Sequence, residues 1–211
     1  MKDLKTPKTN ARGRPSLSSD QIEKMRARIV KSARKLFQTE GYEAVSIRRI
    51  AQEVGCTPMS VYTYYESKID VLRALWEDVF TDLFIEVAAA KKANQDPIDA
   101  IQSMCLTYVA FWLDRSASYR MVFMSAKVEQ SEVSVFVNAS PVAGHYEIFL
   151  TALSAATGRP MTDVVGIAQT LVCGLNGIAH SLITISGYDW ESPDKLVANL
   201  VKGVLLCAAA D

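Results

Sequence analysis

Apolar residues recur along most of this chain at intervals of three and four, the period of a helix buried on one side. Ile22, Met25, Ile29, Ala33, Leu36 and Phe37 share one such face over about five turns. Ser18-x-x-Gln21 precedes them, a spacing that lets the two side chains satisfy free backbone N–H groups reciprocally. Gly41 ends this first helix. Ser46 then caps a short helix, Ile47–Val54, with Ile47, Ile50, Ala51 and Val54 on one face. Gly55 breaks it, and Thr57-Pro58 restarts the chain as an N-cap followed by a first-turn proline. That third helix runs to about Tyr65, and Ser67-x-x-Asp70 opens a longer one as a second capping box.

The helical pattern continues beyond Ala93. Asp96-Pro97 starts a helix to about Asp114, and Ser116–Met124 reads as a shorter one. Val133–Ala156 is interrupted by Pro141 and Gly144, with Val133–Val137 open to a short strand, and Gly158-Arg159-Pro160 stops it. Thr162–Ser186 and Ser192–Ala210 complete the pattern as two long apolar helices. The expectation is an all-α protein of about nine helices.

Charge alters this picture more than composition does. The 23 basic and 23 acidic residues cancel overall. Residues 1–70, however, hold 14 Lys and Arg against 8 Asp and Glu, and residues 71–211 hold 9 against 15. A front half at +6 and a remainder at −6 point to a polyanion as partner of the front half. Residues 1–17 have little apolar patterning and carry Lys2, Lys5, Lys8, Arg12 and Arg14, so they are expected to form a flexible basic arm. No apolar run follows Met1–Arg14, so no secretory leader is expected there.

Two short helices joined at a glycine and braced by a first helix make a helix-turn-helix, at roughly Ser46–Tyr65. The N-terminal residues of its second helix, Thr57, Pro58, Met59 and Ser60, are the ones expected at base edges. Tyr62, Thr63 and Tyr64 bring hydroxyls suited to phosphate oxygens, whereas Tyr65 is expected in the core. Ser46 and Lys68 stand at helix N-termini, where the backbone already favours an anion.

Leu36-Phe37, Gly41-Tyr42, Ser46-Ile47-Arg48-Arg49-Ile50-Ala51, Val54-Gly55, Val61–Tyr65 and Ser67-Lys68 together resemble the DNA-binding domain of the TetR family over about Ser18–Leu75. The resemblance implies a DNA-binding head at 18–66 and a helical effector-binding and dimerisation domain at 67–211. It also implies an Ω-shaped homodimer on a palindromic operator in the cytoplasm. Ser46, Tyr62 and Lys68 match the family's phosphate contacts, and Thr57–Ser60 match its base-reading segment. Repression relieved by a small, largely apolar ligand is the family's usual mode, with activation or ligand-free action as the alternative. Arg12-Gly13-Arg14-Pro15 is also similar to the core of an AT-hook, whose arginines lie in a narrow minor groove.

For the effector, Met104, Tyr108, Phe111, Tyr146 and Phe149 are the candidate apolar lining, with Asn176 and His180 as candidate polar contacts. Each of these aromatics is equally a candidate core residue. Ala117–Ser125 resembles a segment from one subset of the family. That subset carries a Trp, then three intervening residues, then His-Gly in its penultimate helix, where Val172 and Asn176-Gly177 stand here.

Other classes find little support. The two histidines lack metal-ligand spacing, and neither a phosphate-cradling glycine loop nor G-x-S-x-G occurs, so no enzyme activity, cofactor or metal is expected. Cys56, Cys105, Cys173 and Cys207 are widely spaced in apolar helical contexts and are expected as four buried, free thiols. Val164–Tyr188 carries no charge, yet Gln169, Asn176 and His180 interrupt it, so a helix buried in a bundle is expected and not a membrane span. Small residues on the last two helices, among them Gly166, Gly174, Gly177 and Gly203, favour close helix packing between two copies.

Overall fold

A computed structural model describes residues 18–41, 44–124 and 142–210. Among them every regular element is helical. Helix α1 spans Ser19–Glu40, α2 Ile47–Val54, α3 Pro58–Tyr62, α4 Lys68–Lys92, α5 Pro97–Asp114 and α6 Ser116–Phe123. A single helical turn, Val142–His145, leads into α7, Glu147–Thr157. A 3-10 turn, Met161–Val164, precedes α8, Val165–Thr184, and α9 is Pro193–Ala210. The segment around Val133–Val137 lies outside the described residues.

Local chemistry sets most of these boundaries. Ser18 and Gln21 form the full reciprocal box at the start of α1. Asp96 Oδ1 accepts from the N–H groups of Ile98 and Asp99, at 2.8 and 3.0 Å, and Pro97 fills the first position of α5. Ser67 caps α4, but Asp70 does not reach back to the cap N–H: its carboxylate accepts from the Ser67 hydroxyl at 2.7 Å and pairs with Arg73 at 3.1 Å. Two expected helices are shorter than the apolar pattern suggests. Helix α3 stops at Tyr62, and the stretch expected as Thr162–Ser186 spends its first turn in 3-10 geometry.

One buried cluster runs from Ile29 in α1 to Val204 in α9. Helix α4 is its spine, packing on α1 in the head and on α5 in the body. Arg34 of α1 ties the same junction from outside, pairing with Asp78 at 3.2 Å and Asp82 at 3.3 Å. The body centres on Trp112, whose ring meets Phe80, Phe111, Tyr119 and Phe123 edge-on at 5.2–5.8 Å. These are the offset geometries that aromatic quadrupoles favour.

Helices α8 and α9 cross closely where Gly174 meets Leu200: a Cβ added to Gly174 would sit 2.6 Å from Leu200 Cδ1. On the other side both helices present small and apolar residues to solvent. Gly166, Thr170, Cys173 and Gly177 line α8, and Ala198, Gly203, Leu206 and Cys207 line α9. Residues 161–184 are long and apolar enough to cross a membrane, and only 28% of that stretch is buried within the protomer.

The cysteine expectation needs correction. Cys105 is buried, Cys56 is half-buried, and Cys173 and Cys207 are exposed in the protomer. An apolar neighbourhood along a helix does not say which face a residue takes. The freedom of all four thiols agrees with the expectation.

Burial pushes the Cys105 thiol up to about 12. At pH 8 its thiolate fraction is then about one in ten thousand. Iodoacetamide is expected to leave Cys105 unmodified in the native protein and to label it on unfolding, as read by peptide mass. Replacing Gly174 by Leu should lower unfolding free energy by about 1–3 kcal/mol through overpacking. Adding Leu200→Ala should restore part of the loss in urea melts.

Candidate nucleic-acid interface and candidate effector site

The head is assembled from caps and a small apolar core. Ser46 Oγ accepts from Arg49 N–H at 3.3 Å and starts α2. Ile47, Ile50, Ala51 and Val54 of α2 are buried. Gly55 ends the helix at φ +77°, the left-handed region that costs other residues about 1–2 kcal/mol. Arg28 of α1 donates to the Val54 carbonyl at 3.1 Å, filling a free acceptor at that helix end. Two ion pairs fix α2 against α1, Lys35–Glu53 at 2.9 Å and Arg49–Glu40 at 2.7 Å. The Glu53 carboxylate holds the Lys35 ammonium above its ordinary pKa, and Lys35 in turn lowers that of Glu53.

Helix α3 sits outermost. Thr57 Oγ1 accepts from Ser60 N–H at 3.2 Å, and the two hydroxyls bond each other at 2.9 Å. Val61 alone anchors α3 in the core. Met59 is therefore 76% exposed and Tyr62 48% exposed, with Thr57, Pro58 and Thr63 also at the surface. Thr63 donates its hydroxyl to the Met59 carbonyl at 3.3 Å. Ser60 is half-buried, and Tyr64 packs partly against the core. Tyr65 is buried under the Arg26 guanidinium, 5.0 Å from its ring centre, and that burial raises its phenol pKa.

Thr57, Pro58, Met59, Ser60, Tyr62 and Thr63 therefore lie on one protruding element, whereas Tyr64 faces partly inward. Ser46 and Lys68 occupy the N-termini of α2 and α4. Arg12 and Arg14 lie outside the described residues. Arg48 received no separate role in the sequence reading. It is exposed on α2 and makes no ion pair among the described residues, whereas its neighbour Arg49 is tied to Glu40. Adjacent arginines give no sequence signal of which one is spent on a partner.

The candidate effector residues do not converge on one hollow. Met104, Tyr108, Phe111 and Phe149 are fully buried. The Phe111 ring lies under Arg115, 4.1 Å away, and borders a hollow of about 290 Å3 with Arg34, Asp82 and Asp114. Tyr146 and Phe149 instead open onto a groove of about 410 Å3 between α7 and α8, completed by Glu147, Leu150, Val165, Ala168, Gln169, Val172 and Cys173. A larger hollow, about 810 Å3, belongs to neither set; it lies between α1 and α4 and takes in Tyr62–Glu66.

Asn176 and His180 do enter a polar network. Tyr108 donates to Asn176 Oδ1 at 2.9 Å, and Tyr146 lies beside Tyr108. The Tyr119 hydroxyl lies 3.3 Å from His180 Nδ1 and 3.4 Å from the Asn176 carbonyl. Burial raises the pKa of Tyr108, Tyr119 and Tyr146, so the three phenols stay neutral at neutral pH. Tyr119 and Glu147 were not among the sequence candidates. Only the packing of α6 and α7 beside α8 brings them to this region.

Residues 29–75 match the family model described as bacterial regulatory proteins, tetR family. No curated protein sequence matches the chain. Solved structures that share its fold include a transcriptional regulator of the TetR/AcrR family from Thermobifida fusca YX-ER1, at 20% identity, with 86% of this chain and 97% of that one covered and a TM-score of 0.59. A tetR-family regulatory protein from Rhodococcus RHA1 has 19% identity, coverage of 87% and 96%, and a TM-score of 0.58. The fatty acid degradation regulator FadR from Bacillus halodurans has 14% identity, coverage of 85% and 94%, and a TM-score of 0.65. These likenesses establish the fold.

The geometry of the head predicts two stability effects. Gly55→Ala should cost about 1–2 kcal/mol from its left-handed backbone. Thr57→Ala should cost about 0.5–2 kcal/mol from the lost cap. Hydrogen exchange of the α2 and α3 amides provides the local readout, with larger opening expected in both variants.

Proposed function

From the premise that the chain belongs to the TetR family of DNA-binding transcriptional regulators, we propose that it acts as a homodimer on a palindromic operator. The carrying observation is the exposed N-terminal half of α3, where Met59, at 76%, is the most exposed large apolar side chain among the described residues of the head. In this reading Thr57, Pro58, Met59 and Ser60 meet base edges in the major groove. Ser46, Tyr62 and Lys68 hold phosphates, with Thr63, Tyr64 and Arg48 beside them. Arg12 and Arg14 enter the neighbouring minor groove. The Thr57 and Ser60 hydroxyls bond each other in the free head, but one hydroxyl hydrogen remains for a base or phosphate acceptor.

The second copy covers the outer faces of α8 and α9. Their small, apolar and largely uncharged surface supports this reading over a membrane contact. Two heads about 34–36 Å apart then meet successive major grooves on one side of the duplex. The regulator is a repressor, and a small apolar effector bound in the body releases it. Release requires the effector to favour a conformation in which the heads no longer match the operator. Activation on effector binding is the alternative within the same architecture.

Selection from random oligonucleotides by the purified dimer should return a sequence with twofold symmetry. Recovery of sequences without common bases would refute the reading. Removing residues 1–15 should lower the slope of log affinity against log salt by about 2 if Arg12 and Arg14 each neutralise a phosphate. An unchanged slope would remove the arm from the interface. A Cβ on Gly177 meets nothing within 4 Å in the protomer. Gly177→Leu should nevertheless drive the dimer toward monomer in sedimentation at micromolar concentration, because the partner occupies that space.

A further inference from the structure

The groove between α7 and α8 differs from the rest of the body in its charge. Tyr146, Leu150 and Val172 line it, with the buried Phe149 behind them. Glu147 is the sole charged residue among those that line it. Among the described residues no Lys or Arg contributes, so a carboxylate or phosphate entering the groove would be repelled by Glu147 without a counter-charge from them. Lys91 of α4 reaches α7 one turn further on, but its ammonium is held on the Thr151 hydroxyl at 2.7 Å, outside the lining. Glu147 is exposed and makes no ion pair among the described residues. A carboxylate at the edge of a mostly apolar lining matches a ligand with an apolar body and a positive charge.

We propose that this groove binds an apolar cation, with the charge at Glu147 and the hydrocarbon or aromatic body against Tyr146, Phe149, Leu150 and Val172. The inference rests on the reading of the protein as an effector-responsive regulator and gives that effector a chemical class. The volume, about 410 Å3, lies within the range of small-molecule sites. Occupancy also has a route to the rest of the body. Tyr146 forms part of the wall and lies beside Tyr108 of α5, whose hydroxyl donates to Asn176 of α8 at 2.9 Å. A ligand that moves the Tyr146 ring therefore acts on the contact among three helices. Fatty acids are poor candidates on this account, although one protein with the same fold is named for regulating their degradation.

Tetraphenylphosphonium and tetraphenylborate give the direct test, because they share shape and size and differ in the sign of their charge. Titration calorimetry on the full-length dimer should show the phosphonium binding about tenfold more tightly than the borate, because one exposed carboxylate attracts the first and repels the second. Glu147→Gln should reduce that preference to about threefold or less, and Glu147→Lys should reverse it. Circular dichroism on each variant checks folding, which an exposed position should preserve. Equal or tighter binding of the borate by the unaltered protein would overturn the inference. So would a preference unchanged in both variants, or no binding of either ion. The broader reading is judged separately, by release of the selected operator on addition of compounds of either charge or none. Release by an anionic or neutral compound alone would defeat the cation class and keep effector control, whereas no release by any compound would count against effector control itself.

Discussion

The burial of one stripe on α4 is the constraint on which the rest of the structure depends. Val71, Leu72, Leu75, Trp76, Val79, Phe80, Leu83, Phe84 and Val87 are all buried along that helix. The early part of the stripe completes the core under α1, and the later part supports α5 and the aromatic cluster around Trp112. A cluster of this size contributes on the order of tens of kcal/mol of gross apolar transfer, at about 1.5–3 kcal/mol per large side chain. Head and body therefore cannot separate without exposing part of it. Any change of head position must come from tilting or sliding α4 as a unit, because packed interiors switch between discrete arrangements and do not deform smoothly.

That constraint explains where polar groups appear. Arg34 spans from α1 to Asp78 and Asp82 on the solvent side of α4, one turn apart, so it fixes the angle of the junction and not its existence. Partly exposed pairs of this kind contribute only modestly to stability. They suit a junction that has to be held in one setting and released into another. Elsewhere in the body, the Tyr108 and Tyr119 hydroxyls make hydrogen bonds to Asn176 and His180 where α5, α6 and α8 meet. Neutral phenols can exchange partners there without the penalty of stranding a buried charge.

Much of the head was legible in the sequence because its boundaries are local. Ser18, Ser46, Thr57 and Ser67 each cap the helix that follows them, and Gly55 occupies the left-handed turn its position suggested. The body was legible as helices but not as a site. Helical spacing gave the same reading for Phe111 and Phe149, yet one borders the junction with the head and the other the α7–α8 groove. The exposure of Cys173 and Cys207 was likewise hidden, since an apolar position on the outer face of a helix looks the same along the chain as one on the inner face. Glu147 is the first-turn acid of α7, and only the packing of α7 on α8 places it at the groove. Long-range packing decides each of these cases, and periodicity along the chain carries no record of it.

The central claim is that the exposed start of α3 reads bases, in two copies related by symmetry. The most direct measurement compares the base preferences of the unaltered protein with those of Met59→Arg, using selected operators in fluorescence anisotropy at fixed salt. Met59 is exposed and unburdened by packing, so the substitution should leave the fold intact. The account predicts a change of preferred base, toward guanine, at two symmetry-related positions and unchanged preferences elsewhere. A uniform gain in affinity with every base preference unchanged would contradict it, placing α3 on the phosphates and the reading of sequence somewhere else.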